Sequence, residues 1–393
     1  MIGVAAAVGV LIAGASPGLP IPAAAFGQHI AGISAGAPAD VELRSVRLWD
    51  TGTRWDEIET APDQYTWDTL DAAVDSARAG GATDVLYVLG STPQWAARDP
   101  QIPGLYGPGT TSLPKETEDY VDFVREVANR YKGRITAYQI WNEANTRSFY
   151  EGDWTALAKL TRRAHDAIKL IDPSAQVVGA SSTVIPGKLF QTESFFVRYA
   201  RALHKAGDPV DAMAVHLYPV DTSKGPDARV RSIRAAQKVL NKVGIDKPLW
   251  DTEVNYGDRR NPAAQVVPKP KKAAGYVSRT YLDSARYDIA RTFWYGWDIN
   301  VLGITMSNPD GSPTRAGQAF LTTREWMTAG SWKGCKDSRG VTTCRVGATK
   351  IVYASKSTSL KRPAGVTTVT TLTGASKAAD TTIKVGTSPI RLS

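Results

Sequence analysis

Two apolar runs in this chain end in a carboxylate: Ile140-Trp141-Asn142-Glu143-Ala144-Asn145 and Leu249-Trp250-Asp251-Thr252-Glu253-Val254-Asn255. Taken singly, either glutamate fits an exposed residue at a strand-to-helix turn equally well. As a pair they suit chemistry in which two carboxyl groups converge on one bond. In glycosidic cleavage one donates a proton to the leaving oxygen while the other attacks carbon or activates water. Double displacement requires one of the two protonated and the other ionised at one pH, so their surroundings must differ. Arg47, in Val46-Arg47-Leu48-Trp49, offers a guanidinium that could hydrogen-bond and aim the ionised partner; a structural barrel arginine is the plain alternative. His216 and Tyr218 alternate onto one face of Ala214-Val215-His216-Leu217-Tyr218-Pro219, although a histidine on an apolar strand is also an ordinary core residue. Trp294 and Trp297 are candidates for a platform under a sugar, whose C–H face stacks on aromatic rings, while at least one of Phe293, Trp294 and Tyr295 must belong to the core. Trp95 and His29 complete the candidate substrate contacts, at the rim and the floor.

These side chains can meet only if strand ends bring them together. Short β-rich runs alternate with longer amphipathic stretches from Phe26 to about Glu325, the pattern of βα units and a parallel sheet. Eight strands are expected: Phe26–His29, Ser45–Trp49, Asp84–Leu89, Ile135–Trp141, Gln176–Gly179, Ala212–Leu217, Pro248–Thr252 and Ala290–Trp294. Helices are expected over Trp67–Ala79, Glu116–Tyr131, Trp154–Ile171, Phe195–Ala206, Pro226–Val243 and Lys271–Tyr287. In the second of these, Tyr120, Phe123, Val124 and Val127 recur at the three- and four-residue intervals of a helix packed on a sheet. Eight strands over about 300 residues give the (β/α)8 TIM barrel, an α/β fold whose active site opens at the C-terminal strand ends. A doubly wound open sheet competes, but no Gly-rich phosphate loop follows the first strand. Beyond Gly330 helical periodicity disappears and Gly, Thr, Ser and Val rise. This predicts a small all-β, sandwich-like domain over 331–393 beside a barrel over 26–330, with 1–25 as a leader.

With strand ends and motifs in place, the chain resembles the clan A glycoside hydrolases, particularly families 39 and 5. The resemblance rests on Asn142-Glu143, Glu253, Trp55-Asp56-Glu57-Ile58-Glu59, Gln64-Tyr65-Thr66-Trp67-Asp68-Thr69-Leu70-Asp71 and Thr92-Pro93-Gln94-Trp95, across about residues 26–330. It implies a retaining glycosidase in which Glu143, preceded by Asn142, ends strand four as acid/base, and Glu253 ends strand seven as nucleophile. It further implies that His216 and Tyr218 contact the site, and that a small β domain follows the barrel. Ala61-Pro62-Asp63 departs from the family pattern in a loop.

Composition sets the remaining bounds. The 393 residues are 42% hydrophobic and 22% charged, as in folded globular proteins. The net charge of +9 is scattered rather than gathered in a stripe interleaved with aromatics, so no nucleic-acid partner is expected. Four histidines lack metal-ligand spacing, and neither a metal nor a cofactor is expected. Cys335 and Cys344, nine residues apart, could form one disulfide in an oxidising compartment. An apolar run from Ile2 to Ala15, followed by Ala23-Ala24-Ala25, reads as a signal peptide or membrane-proximal leader, too short for a stable membrane span. The expectation is therefore a monomer, secreted or associated with the cell envelope, whose partner is a carbohydrate such as a xylose- or galactofuranose-containing polymer. Competing functions are a non-catalytic carbohydrate-binding barrel and a transglycosylase using the same residues. A serine esterase is disfavoured because no Gly-x-Ser-x-Gly elbow occurs.

Overall fold

The computed structural model describes residues 18–30, 41–184, 194–219, 224–257, 267–299 and 301–393. Eight parallel strands form the barrel: β1 (Phe26–His29), β2 (Ser45–Leu48), β3 (Asp84–Leu89), β4 (Ala137–Ile140), β5 (Gln176–Val178), β6 (Met213–His216), β7 (Leu249–Val254) and β8 (Ile289–Tyr295). Neighbours pair in the order β5-β4-β3-β2-β1-β8-β7-β6. A short continuation of β5, Ser182–Thr183, lies parallel to β6, and a parallel bridge from Val178 to Ala212 closes the ring. Small and large side chains complement one another inside: Ala137, Ala212, Ala214 and Ala290 leave the space that Trp250 and Phe293 fill. Gly27 is dictated by the same packing, since a Cβ there would lie 2.3 Å from the Phe293 ring.

Among the described residues seven long helices surround the strands: α1 (Asp68–Ala79), α2 (Thr117–Arg130), α3 (Trp154–Ile171), α4 (Phe195–Lys205), α5 (Pro226–Val243), α6 (Pro270–Arg286) and α7 (Arg315–Thr328). Their ends follow local chemistry. The Asp153 carboxylate accepts from the amides of Thr155 and Ala156 at 2.9 and 2.8 Å, starting α3 where two amides lack helical partners. Proline opens α5 and α6, and Gly244 ends α5 in the left-handed conformation at φ 90°. On α2 the buried stripe is Tyr120, Val121, Phe123, Val124, Val127 and Ala128, which contains the periodic residues. Helix α7 is absent from the sequence-based expectation, because its exposed and buried positions give only weak amphipathic contrast. Among the described residues no helix joins β1 to β2, and none is long and apolar enough to cross a membrane.

The C-terminal region holds β9 (Trp332–Ser338), β10 (Val341–Val346), β11 (Thr349–Ala354), β12 (Thr358–Lys361), β13 (Thr368–Thr370), β14 (Ser376–Ala378), β15 (Thr382–Val385) and β16 (Ile390–Leu392). Six form an antiparallel sheet in the order β9-β10-β11-β16-β13-β14, and β12 pairs with β15. Strand alternation explains how the sheet buries both faces. Val352 and Ala354 enter a small local core with Ile383 and Val385, while Ile351 and Tyr353 join the main core of the barrel. Cys335 and Cys344 oppose one another across β9 and β10 and are disulfide-bonded.

The expected boundary after residue 25 does not coincide with the edge of the fold. The Gly18 amide donates to the Trp332 carbonyl at 2.8 Å, the Trp332 amide to Leu19 at 2.9 Å, and Ile21 and Ala24 are buried. The apolar run Ile2–Ala15 lies outside the described residues.

Candidate active site

Glu143 follows β4 across a contorted turn. Trp141 and Glu143 take positive φ values of 67° and 40°, conformations that side-chain-bearing residues adopt only when held. Two contacts do the holding: the Glu143 amide donates to Ser181 Oγ at 2.9 Å, and its carbonyl accepts from the Thr146 amide at 2.9 Å. The Glu143 carboxyl is thereby turned into the barrel mouth. Glu253 arrives differently. Strict alternation along β7 would send Asp251 and Glu253 to the same side, yet the register with β8 shifts between Asp251 and Val254. A bulge of this kind re-aims one side chain. Asp251 faces the helical ring, where Arg229 donates from Nη2 at 2.6 Å and Nε at 2.9 Å, whereas Glu253 faces the mouth.

The two carboxyls converge. One oxygen of Glu143, one of Glu253 and a ring nitrogen of His216 all lie within 4.8 Å of one another. Arg47, fully buried at the end of β2, donates from Nη1 to Glu253 Oε2 at 3.0 Å and from Nη2 to Asn142 Oδ1 at 2.7 Å. It thus ties the end of β7 to the end of β4. Tyr218 donates to the other Glu253 oxygen at 2.5 Å. Burial and the Glu253 charge push the Tyr218 phenol well above its ordinary range, so it stays a neutral donor. Glu253 therefore has one full positive charge and a hydroxyl directed at it.

Glu143 has a different neighbour. His216 Nδ1 lies 2.8 Å from Glu143 Oε1, and burial away from water pushes the imidazole down to about 3, with the Glu253 charge opposing and Arg47 and His29 adding to the depression. At neutral pH His216 carries no charge, so it supplies hydrogen bonding without an ammonium-like charge beside Glu143. His216 thus stands beside Glu143, and Arg47 and Tyr218 beside Glu253, within one cleft.

His29, at the end of β1, sits beneath this group. Arg47 Nη1 approaches His29 Nδ1 at 3.4 Å, Nε2 lies 3.0 Å from Asp50, and the ring stacks on Tyr295 at 4.5 Å between centroids. Burial alone would raise the Asp50 carboxyl, but His29, the Tyr295 hydroxyl at 2.8 Å and Arg47 together hold it below its usual range. The trio Glu143, His216 and Glu253 could present ligand atoms to a cation. The guanidinium already 3.0 Å from Glu253 opposes a second positive charge there.

Asn142, Arg47, His216, Tyr218 and His29 thus gather with the two glutamates. The tryptophans do not. Trp294 is fully buried with its Nε1 toward the Ile304 carbonyl at 3.5 Å, and Trp297 is 2% exposed against Phe320. Neither can offer a face to a sugar, because both rings close the core behind the end of β8. Trp95 is half-buried, donating to the Glu59 carbonyl at 2.8 Å and packed edge-on to Trp55. No sequence signal marks Asp50, Tyr295, Ser181 or Tyr106 as part of the site. Tyr106 comes from the loop spanning 99–114, with its ring 3.9 Å from the Arg54 guanidinium and 5.8 Å from Trp49.

The model of the family described as "Glycosyl hydrolase catalytic core" matches residues 75–320, more than half of the chain. The chain belongs to this family. This glycoside hydrolase has the fold of several solved relatives, all distant in sequence. A family 39 glycoside hydrolase from Bacteroides cellulosilyticus WH2 superposes with a TM-score of 0.71 at 15% identity, covering 94% of this chain and 80% of that one. A monomeric β-xylosidase from Caulobacter crescentus CB15 gives 0.65 at 15% identity, covering 96% and 97%. A glucosidase from Croceicoccus marinus gives 0.64 at 14%, covering 93% and 82%. No curated protein matches the chain by sequence. The clan A resemblance read from the motifs therefore holds for the enzyme class and for the barrel.

Proposed function

We propose that this glycoside hydrolase retains anomeric configuration, with Glu253 as nucleophile and Glu143 as acid/base. The carrying observation is the convergence of the two carboxyls, with Glu253 accepting from the Arg47 guanidinium and the Tyr218 hydroxyl and Glu143 beside the His216 ring. An ionised Glu253 attacks the anomeric carbon as the bond to the leaving oxygen breaks, and Glu143 delivers its proton to that oxygen. Water then attacks the glycosyl ester, giving its proton to Glu143 while the Glu253 oxygen departs. Carboxyls in retaining sites stand about 5–5.5 Å apart, against about 6.5–9.5 Å in inverting ones. An oxygen of each glutamate within 4.8 Å of the other supports retention.

The wider reading is of a monomer, secreted or held at the cell envelope, acting on a glycan there. The apolar N-terminal run and the single disulfide support export. Aryl β-xylosides and aryl galactofuranosides are the first substrates to try, the former because a β-xylosidase is among the structural relatives. The test is proton NMR of the first-formed product, together with assays of Glu143→Ala and Glu253→Ala. Product of the same anomeric configuration, and loss of turnover in both variants, are expected. Inverted product, or unchanged hydrolysis in both variants, overturns the reading.

A further inference from the structure

The net charge is not shared between the barrel and the β domain. Residues 331–393 hold eleven lysines and arginines against two acidic side chains, a surplus equal to the +9 of the whole chain, so the first 330 residues balance. Strand alternation fixes where that surplus lies. On β10 and β11 the side chains of Cys344, Val346, Ile351 and Tyr353 join the barrel core, and those of Val341, Val352 and Ala354 turn the other way into the local core. Arg345 and Lys350 belong to the second set and stand directly opposite one another, with Lys336 of β9 on the same face. Strands β12 and β15 cover the local core with Leu360, Ile383 and Val385, which turns Ser359, Lys361, Thr382 and Lys384 outward, the two lysines as diagonal neighbours. Five cations thus lie on the side of the domain turned away from the barrel.

Like charges on neighbouring strands weaken a sheet, so fold stability does not account for them. Among the described residues none of the five has a carboxylate within ion-pairing distance, because the domain's two acids, Asp337 and Asp380, are held by Arg286 and Lys377. The domain's aromatic residues, Trp332 and Tyr353, are both buried, which leaves no ring to stack on a sugar or a nucleobase. Nor does the domain expose a large apolar side chain that could enter a bilayer. What it offers is charge interleaved with hydroxyls. Four of the five cations are lysines, point charges that meet phosphate without the planar fork by which arginine grips a carboxylate. Ser359 and Thr382, exposed beside Lys361 and Lys384, can donate to phosphate oxygens.

We infer that this face of the β domain docks on a phosphodiester-linked polymer, a chain of polyol or sugar phosphates, and tethers the barrel to it. Placing that polymer in the cell envelope rests on the export reading above; the binding does not, and it is measured apart from turnover.

The full-length enzyme is titrated by calorimetry, at two salt concentrations, with a glycerol-phosphate teichoic polymer, polygalacturonate, duplex DNA and phosphatidylglycerol vesicles at equal charge. Tightest binding to the teichoic polymer is expected, weakening with salt as exposed charges are screened. Neutralising Arg345, Lys350, Lys361 and Lys384 together to glutamine should weaken it about tenfold or more, while kcat/KM on a small aryl glycoside stays unchanged. If that variant does not fold, Lys361→Gln with Lys384→Gln carries the test. Neutralising four exposed barrel cations instead, Lys132, Arg231, Lys238 and Lys242, should leave binding within about twofold, since charges beyond a screening length contribute little. Binding of polygalacturonate, DNA or vesicles as tightly as the teichoic polymer, undiminished binding by the β-domain variants, or an equal loss in the barrel variant would overturn the inference. Turnover of the aryl glycoside without any polymer binding would overturn it too, while leaving the glycosidase reading intact.

Discussion

Arg47 is the residue whose replacement tests the site most sharply. One Nη donates to Glu253 and the other to Asn142, and the guanidinium has no exposed surface. Lysine at this position keeps the charge but cannot span both acceptors, so one hydrogen bond with a charged donor is lost. Such a bond contributes about 1.5–3 kcal/mol, which converts to a fall in kcat/KM of roughly tenfold to a hundredfold for Arg47→Lys. Arg47→Met removes both bonds and leaves the Glu253 carboxylate buried without its cation, a change worth about 3–5 kcal/mol, or roughly two to three and a half orders of magnitude. The assay is steady-state hydrolysis of 2,4-dinitrophenyl and 4-methylphenyl glycosides of the same sugar, with thermal unfolding in parallel. Arg47 is a positioning residue acting through Glu253, so both leaving groups should suffer alike, because attack on carbon is impaired whatever departs. Wild-type kcat/KM in Arg47→Lys at unchanged Tm would refute the reasoning. A loss confined to the poor leaving group would also refute it, by assigning Arg47 to proton donation.

Glu143→Ala should show the opposite pattern, losing about 10²–10⁴-fold on the poor leaving group and little on 2,4-dinitrophenyl glycosylation, checked by pre-steady-state release. Tyr218→Phe removes the 2.5 Å bond to Glu253 and should lower kcat about tenfold to a hundredfold while Tm moves little; an unaltered kcat would exclude Tyr218 from aiming the nucleophile. His216 titrates near 3 in the fold against an ordinary 6.5, so the folded state binds fewer protons between those values. Its contribution to stability is complete above about pH 6.5 and is lost as pH falls toward 3, a change of a few kcal/mol. Urea unfolding at pH 7 and pH 4 should therefore show a larger loss in the native enzyme than in His216→Gln, and equal losses would contradict the buried neutral imidazole. Reducing the Cys335–Cys344 bond reopens a loop of about ten residues and should lower stability by about 2–3 kcal/mol, seen as a lower Tm in dithiothreitol.

The catalytic pair is legible in the sequence because each glutamate ends an apolar run, and in a parallel barrel a strand's C-terminal end opens onto the mouth. Arg47, His216 and Tyr218 are legible for the same reason. The route by which Glu253 reaches the mouth is not. Alternation alone groups it with Asp251, and the register shift against β8 that separates them belongs to the pairing of two strands, which the local pattern of β7 does not show. Trp294 and Trp297 mislead because an aromatic ring suits a sugar platform and a buried core equally well. The packing of Tyr256 and Phe320 against them decides for the core. Asp50, two residues past β2, and Ser181, between β5 and its continuation, gain their roles only from neighbours across the ring, His29 and Tyr295 for the one and the Glu143 amide for the other, pairings that local spacing does not encode. The helices are readable nearly to the residue where polar caps or prolines mark their starts, as at Trp154 and Pro226.

The pairing of Gly18 and Leu19 with Trp332 has a consequence for how the chain is made. Residues near the N-terminus leave the ribosome first, yet their backbone partner is synthesised about 300 residues later. The ring of strands can assemble progressively, but its first segment cannot lock until the start of the β domain has emerged. Contacts so distant in sequence form slowly and leave earlier surfaces exposed meanwhile. The β domain thus acts as a late latch on the barrel, and truncating the chain before Trp332 would release its beginning as well as its end.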